Sequence, residues 1–167
     1  RNDVIDYVSD KYGNDRVAHI VTFATIKAKQ AIRDSARVLG LPFSSGDKVA
    51  KLMPPMILGI SATLGECLDK DDISQSGYSK EFYSASSELR KQYKENTEVK
   101  KIIDIARGLE GLRRQDGIHA AAVVISPDKL TKFLPIQQKG DGAELVTQYE
   151  MHTVEQLGLL KMDFLGL

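Results

Sequence analysis

The chain has 167 residues, 42% of them hydrophobic, which is enough to bury one sizeable core or two small ones. Its 23 basic and 23 acidic residues balance, which argues against a protein that coats nucleic acid through bulk positive charge. A single cysteine excludes an internal disulfide and favours an intracellular origin, and no apolar run is long enough to cross a membrane. The sequence does not begin with Met, and we expect it to be a piece of a longer protein.

The first residues predict a helix followed by a strand. Val4, Ile5 and Val8 recur at helical spacing, so residues 3–12 predict a short helix. Residues 17–22 have the composition of a strand. His19 lies in this strand and is expected to be structural, because no second ligand type follows it at a metal-binding spacing.

A basic helix is predicted over residues 25–39, with Gly40 and Pro42 ending it. Lys29, Arg33 and Arg37 follow one another four residues apart on its polar side. This row of cations is either a solvated helix face, partly compensated by nearby aspartates, or a set of contacts for the phosphates of a nucleic acid strand. Periodicity alone leaves both interpretations open.

The middle of the chain is predicted to be mostly helical. Residues 44–47 are candidate capping residues for a short helix that ends before Pro54 and Pro55. Residues 56–76 are poorly patterned and predict loops or short helices. Apolar stripes predict two further helices, over residues 80–93 and 98–112.

At Gly117 the pattern changes to short apolar runs. Residues 120–125 predict a buried strand, residues 139–142 a turn, residues 144–149 another strand and residues 151–157 a short helix. The alternation is typical of a sheet with helices on one face. The class is therefore α+β, with a helical insertion between two parts of a sheet domain.

The last stretch, residues 159–165, alternates as a strand does. Leu160, Met162 and Phe164 are expected on one face, which can be buried, while Lys161 and Asp163 share the other. The two charged residues are either an ion pair on a solvated strand, or a rigid carboxylate ligand for Mg²⁺ beside a lysine that meets phosphate oxygens.

Four segments, in order along the chain, carry a resemblance to a known family. They are residues 22–29 (TFATIKAK) with 31–34 (AIRD) and 37–40 (RVLG), residues 108–112 (GLEGL) with 117–125 (GIHAAAVVI), residues 146–149 (VTQY), and residues 158–167 (GLLKMDFLGL). Together they resemble the alpha subunits of bacterial DNA polymerase III, the C-family of replicative polymerases. The resemblance covers nearly the whole chain.

That resemblance implies a mostly helical thumb, residues 25–116, inserted into a palm of residues 1–24 and 117–167 that is similar to polymerase beta-type nucleotidyltransferases. It implies a DNA-directed DNA polymerase that extends a primer in chromosomal replication, by phosphoryl transfer with two Mg²⁺ ions. The implied partners are primer-template DNA, dNTPs and other replicase subunits, including the sliding clamp through parts of the protein outside this chain. A cytoplasmic protein without membrane contact is expected.

The resemblance also assigns roles to individual residues. Asp163 would be the third catalytic carboxylate and a metal ligand, and Lys161 would face the triphosphate of the incoming nucleotide. His119 has either a structural role or a contact with primer or nucleotide. The implied DNA contacts are Lys27, Lys29, Arg33 and Arg37. The other two carboxylates are expected upstream of Arg1, so this chain alone is expected to be inactive.

Two other function classes stay open at this point. One is a non-catalytic helical module that binds nucleic acid through its basic row. The other is a different metal-dependent enzyme of the nucleotidyltransferase type. Asp163 in its Lys-x-Asp-Phe-Leu-Gly context favours an enzyme, because a pure binding module would not need it.

Overall fold

A computed structural model describes residues 2–72, 76–139 and 144–165. Within these ranges the helices and strands follow in the order α1 (Asn2–Tyr12), β1 (Val17–Thr25), α2 (Ala28–Val38), α3 (Phe43–Lys51), α4 (Leu64–Leu68), α5 (Ser79–Ala85), α6 (Ser87–Glu95), α7 (Thr97–Leu109), β2 (Arg113–Ile125), a 3₁₀ turn (Leu130–Lys132), β3 (Ile136–Lys139), β4 (Glu144–Glu150), α8 (Met151–Gln156) and β5 (Leu160–Asp163). No helix in the described ranges is both long enough and apolar enough to span a membrane.

The chain divides into two compact units. The sheet unit consists of Arg1–Ala24 and Arg114–Leu167, and the helical unit consists of Thr25–Arg113. The fold is therefore α+β.

The sheet unit is built on one mixed five-stranded sheet in the order β3-β4-β1-β2-β5. β1 runs parallel to β4, whereas the β2–β5 and β3–β4 pairs are antiparallel. On one face Ile20 and Val124 pack with Val154 of α8 and with Leu130 of the 3₁₀ turn. On the other face Val17 and Val123 pack with Ile5 and Val8 of α1.

Helices thus cover both faces of the sheet, and the prediction of helices on one face is wrong. The reason lies in β1 and β2, where consecutive residues are buried, so that both faces of each strand need an apolar cover.

Two strands differ from their predicted positions. β2 begins at Arg113 rather than near residue 120, because its first residues are polar and exposed and carry no apolar pattern. β3 was not predicted, since three of its four residues are polar; it pairs with β4 from Ile136 opposite Thr147 to Lys139 opposite Glu144. Lys139 is therefore a strand residue, and the predicted turn residues 140–142 lie outside the described part of the chain.

The face of β5 that was expected to be buried is largely exposed. Leu160 is 56% exposed and Met162 is 39% exposed, whereas Phe164, just after β5, packs against the α1 cluster. β5 is the last strand of the sheet, so it has a neighbour on one side only. Alternation identifies the two faces of a strand, but it does not show which face other residues cover.

The helical unit has its own core, to which all six helices α2 to α7 contribute. Its fully buried side chains include Ile32, Leu64, Phe82, Leu89, Ile102 and Ile103. Cys67 is buried in this core, which raises the pKa of its thiol to about 11 and leaves it protonated near neutral pH.

Four predicted helix boundaries in this unit need correction. The helix predicted over residues 98–112 is α7, which ends at Leu109. α2 begins at Ala28 rather than residue 25, because Thr25 is still part of β1. α3 begins at Phe43, directly after Pro42, so residues 44–47 lie inside the helix and do not cap it. The helix predicted over residues 80–93 is two helices, α5 and α6, separated at Ser86, whose hydroxyl donates to the Phe82 carbonyl.

The poorly patterned segment contains α4, in agreement with the prediction of loops or short helices there. Thr63 and Glu66 form a capping box at its start, in which each side chain bonds the backbone N–H of the other residue. The spacing T-x-x-E is a recognised helix-start signature, so the sequence contained a signal for this helix.

Candidate active site and candidate nucleic-acid interface

β5 holds Lys161 and Asp163 in place through its pairing with β2. Asp163 is opposite Ala122, and Lys161 is opposite Val124. Because paired residues of an antiparallel ladder project to the same face, both charged side chains lie on the face that α8 covers. The expectation that they share one face is confirmed.

α8 precedes this strand and determines how the chain enters it. Glu150 caps the helix by accepting hydrogen bonds from the backbone N–H groups of His152 and Thr153, both at 3.2 Å. At its end Gly158 adopts a φ of +76°, a left-handed conformation that favours glycine. The chain therefore reverses at Gly158 and returns as β5 beside the helix it has left.

The reversal brings a residue of α8 to the site. The Lys161 Nζ atom lies 3.1 Å from Asp163 Oδ2 and 3.4 Å from Glu155 Oε1. The Lys161 side chain is only 19% exposed, whereas Asp163 remains 41% exposed. The hydrogen bond to Asp163, followed by the one to Glu155, raises the pKa of Lys161, so its amine stays positively charged at neutral pH.

Sequence reasoning missed Glu155. The signal in the sequence was Gly158, which ends α8. A strand that follows a helix after a short turn runs back past the last residues of that helix, where Glu155 lies. A helix stop does not show how far the chain turns, so it did not single out Glu155 from the other polar residues of α8.

The chemistry of Asp163 fits one ligand of Mg²⁺, since it is a partly exposed carboxylate on a strand and Mg²⁺ prefers hard oxygen donors. In residues 2–72, 76–139 and 144–165 there is no group of three or more His, Cys, Asp or Glu side chains that could hold a metal ion. The described residues therefore do not contain a full set of metal ligands.

His119 lies on β2, just before the residues that pair with β5. Its Nδ1 atom accepts hydrogen bonds from the backbone N–H groups of Ala121, at 3.2 Å, and Ala122, at 2.9 Å. An accepting Nδ1 carries no hydrogen, so in the neutral ring the hydrogen is on Nε2. The ring lines a small cleft together with Asn2, Ile5, His19, Ile118, Ala120 and Glu144.

The basic row of α2 is partly neutralised within the helical unit. Arg33 donates to Asp47 at 2.9 Å, and Arg37 donates to Asp34 at 3.0 Å. Lys51 also pairs with Asp47, and its hydrogen bond, with that of Arg33, holds the pKa of Asp47 below its usual value. The predicted compensation by nearby aspartates is therefore present.

Lys27 and Lys29 are exposed at the start of α2 and share a pocket with Arg33. Met53, Met56 and Ser61 also line this pocket. The Lys29 side chain forms no hydrogen bond or ion pair within the described ranges, so its charge is the most available of the row.

Comparison with known proteins assigns the chain to a family. Residues 1–166 match the family described as the bacterial DNA polymerase III alpha NTPase domain, and the chain belongs to that family. It is 45% identical over 167 residues to the DNA polymerase III subunit alpha of Buchnera aphidicola subsp. Acyrthosiphon pisum, 42% identical over 172 residues to that of Aquifex aeolicus, and 41% identical over 167 residues to that of Escherichia coli K12.

Each of these matches covers 100% of this chain. The chain in turn spans only 13% of the Buchnera relative, 15% of the Aquifex relative and 13% of the Escherichia relative. The relatives are thus several times longer than this chain.

Proposed function

We propose that this chain is part of a DNA-directed DNA polymerase, the alpha subunit of a bacterial DNA polymerase III, which extends a primer with dNTPs in chromosomal replication. The observation that carries the proposal is the placement of Asp163, a partly exposed carboxylate fixed by the β2–β5 ladder beside Lys161, in a chain of this family. The membership of the family supports the enzyme class over a pure binding module.

In this proposal Asp163 is one of three carboxylates that hold two Mg²⁺ ions, and the other two come from outside this chain. Bound Mg²⁺ supplies charge stabilisation for the attacking primer hydroxyl and the leaving pyrophosphate. The Lys161 ammonium orients the triphosphate, and its distance of 3.1 Å from Asp163 keeps it close to where the carboxylate acts. We expect this chain by itself to be inactive in primer extension.

The sheet unit corresponds in this proposal to part of the palm, and the helical unit to the thumb. The thumb grips primer-template DNA through Lys27, Lys29, Arg33 and Arg37, without reading bases. Contacts with other replicase subunits, including the sliding clamp, belong to other parts of the protein, and we expect a cytoplasmic location.

The alternative is a non-catalytic module that binds nucleic acid. The exposed cations at the start of α2 would serve either function, so they do not separate the two. Asp163 does separate them, because only the enzyme needs its charge.

The test is Asp163→Asn in the full-length subunit, since asparagine keeps the shape of the side chain and removes its charge. We expect primer extension with Mg²⁺ to fall by about 10³-fold or more, while the melting temperature and primer-template binding are retained. Lys161→Ala should mainly raise the KM for dNTPs. Near-normal turnover by a well-folded Asp163→Asn protein would make Asp163 structural and would refute the proposal.

A further inference from the structure

Lys161 lies between two carboxylates, and only one of them belongs to the motif that resembles the polymerase family. Its Nζ atom is 3.1 Å from Asp163 and 3.4 Å from Glu155. Glu155 is on α8, and its side chain is 50% exposed. A single position of the ammonium therefore contacts both carboxylates, with Asp163 slightly the nearer.

Glu155 is held firmly by the helix that carries it. Its neighbour Val154 is completely buried in the core between α8 and the sheet. At the end of α8, the backbone N–H of Leu157 donates to Thr153, and that of Gly158 donates to the carbonyl of Glu155 itself. The carboxylate of Glu155 therefore projects from a fixed point beside β5.

An ammonium bonded to Asp163 competes with a divalent cation for the same carboxylate. If Lys161 had no other partner, a cation binding to Asp163 would leave the ammonium, on a side chain that is 19% exposed, without its counter-ion, which is unfavourable. Glu155 removes this cost, because it offers an acceptor that Lys161 reaches by a small movement of its side chain.

We propose that Glu155 is a positioning residue that receives the Lys161 ammonium when Asp163 binds a divalent cation, and so keeps Lys161 close to the triphosphate. This inference rests on the proposed function. It differs from a surface ion pair in that Glu155 acts on cation binding only through Lys161.

The test is a double-mutant cycle in the full-length subunit, read out by Mn²⁺ binding. Electron paramagnetic resonance measures the free Mn²⁺ in each sample. The relevant quantity is the part of the Mn²⁺ binding that is lost in the Asp163→Asn protein. Glu155→Gln should weaken this binding about fivefold, the upper range for one partly exposed ion pair. Glu155→Gln should also raise the KM for dNTPs more than it lowers kcat.

Lys161→Met removes the competing ammonium, so Glu155→Gln should have no further effect on Mn²⁺ affinity in that background. Asp15→Asn is the matched control, because it removes an exposed carboxylate of the sheet unit that lies 3.6 Å from Lys129. Its Mn²⁺ affinity should equal that of the wild type. Melting temperatures of all variants would be compared as well.

Two results would overturn the inference. Unchanged Asp163-dependent Mn²⁺ affinity in Glu155→Gln would make Glu155 an ordinary surface partner of Lys161. An equal loss with and without Lys161 would make Glu155 a direct ligand or a fold determinant. Neither result affects the proposed function, which fails separately if a well-folded Asp163→Asn protein keeps near-normal primer extension.

Discussion

His119 accepts a hydrogen bond of 2.9 Å from the backbone N–H of Ala122. Ala122 is the residue of β2 that is paired with Asp163 of β5. His119 therefore stabilises the backbone directly beside Asp163, and its own ring lines a cleft that does not include Asp163. A structural role for Nδ1 and a substrate contact through Nε2 are compatible, because they use different atoms.

Two substitutions of His119 separate these roles. His119→Ala removes both backbone hydrogen bonds and should lower the free energy of unfolding by about 1–2 kcal/mol. In His119→Asn the side-chain oxygen occupies the position of Nδ1, so stability should be largely retained while Nε2 is lost. Chemical unfolding measures the first effect, and dNTP and primer KM values of the full-length subunit measure the second. A stable His119→Asn protein with unchanged kinetics would leave His119 with the structural role alone.

Lys29 and Arg33 should differ in their effect on DNA binding. Lys29→Ala should reduce the slope of log K against log salt by about 0.9, as expected for one phosphate contact, without loss of stability. Arg33→Ala should change the slope less, because Asp47 already neutralises the guanidinium, and should cost about 1 kcal/mol of stability or less. The measurement is primer-template affinity of the full-length subunit over a range of salt concentrations.

Lys94 provides a control for this pair, since it is an exposed lysine on α6 of the same unit. Its replacement by alanine should leave the salt slope unchanged. If Lys29→Ala also leaves the salt slope unchanged, the basic row of α2 is a solvated surface.

Glu110 should make the helical unit less stable as the pH rises. Burial raises the pKa of its carboxyl above the ordinary 4.5, while a hydrogen bond from the Leu64 backbone N–H acts in the opposite direction. The folded chain therefore keeps the proton at pH values where the unfolded chain has released it, so the free energy of unfolding falls as pH rises through this range.

Glu110→Gln keeps an oxygen that accepts from Leu64 and removes the charge. Its melting temperature should exceed that of the wild type near pH 7, and the difference should shrink as the pH falls below 4.5. Thermal unfolding at several pH values checks this. A lower melting temperature at neutral pH would mean that attraction to Lys27 outweighs the cost of burial.

The sequence was most informative where the relevant contact is local. Lys161 and Asp163 are two residues apart in a strand, so alternation alone places them together. The contact between Lys161 and Glu155 depends on a chain reversal, and the exposure of Leu160 depends on which elements cover an edge strand. A local periodicity of apolar residues predicts neither the contact between Lys161 and Glu155 nor the exposure of Leu160. The break at Ser86 was missed for a related reason, because the apolar stripe continues from Phe82 to Leu89 across it.

The left-handed turn at Gly158 also constrains how this segment tolerates insertions and deletions. Surface connections usually accept changes in length. Here one residue more or less between α8 and β5 would shift the ladder with β2 by one position. A shift of one position moves every side chain of a strand to the opposite face of the sheet. Lys161 and Asp163 would then lie on the face that Met162 now occupies, and Met162 would lie on theirs. A connection of three residues, 157–159, is therefore as fixed in length as the strand that it leads into.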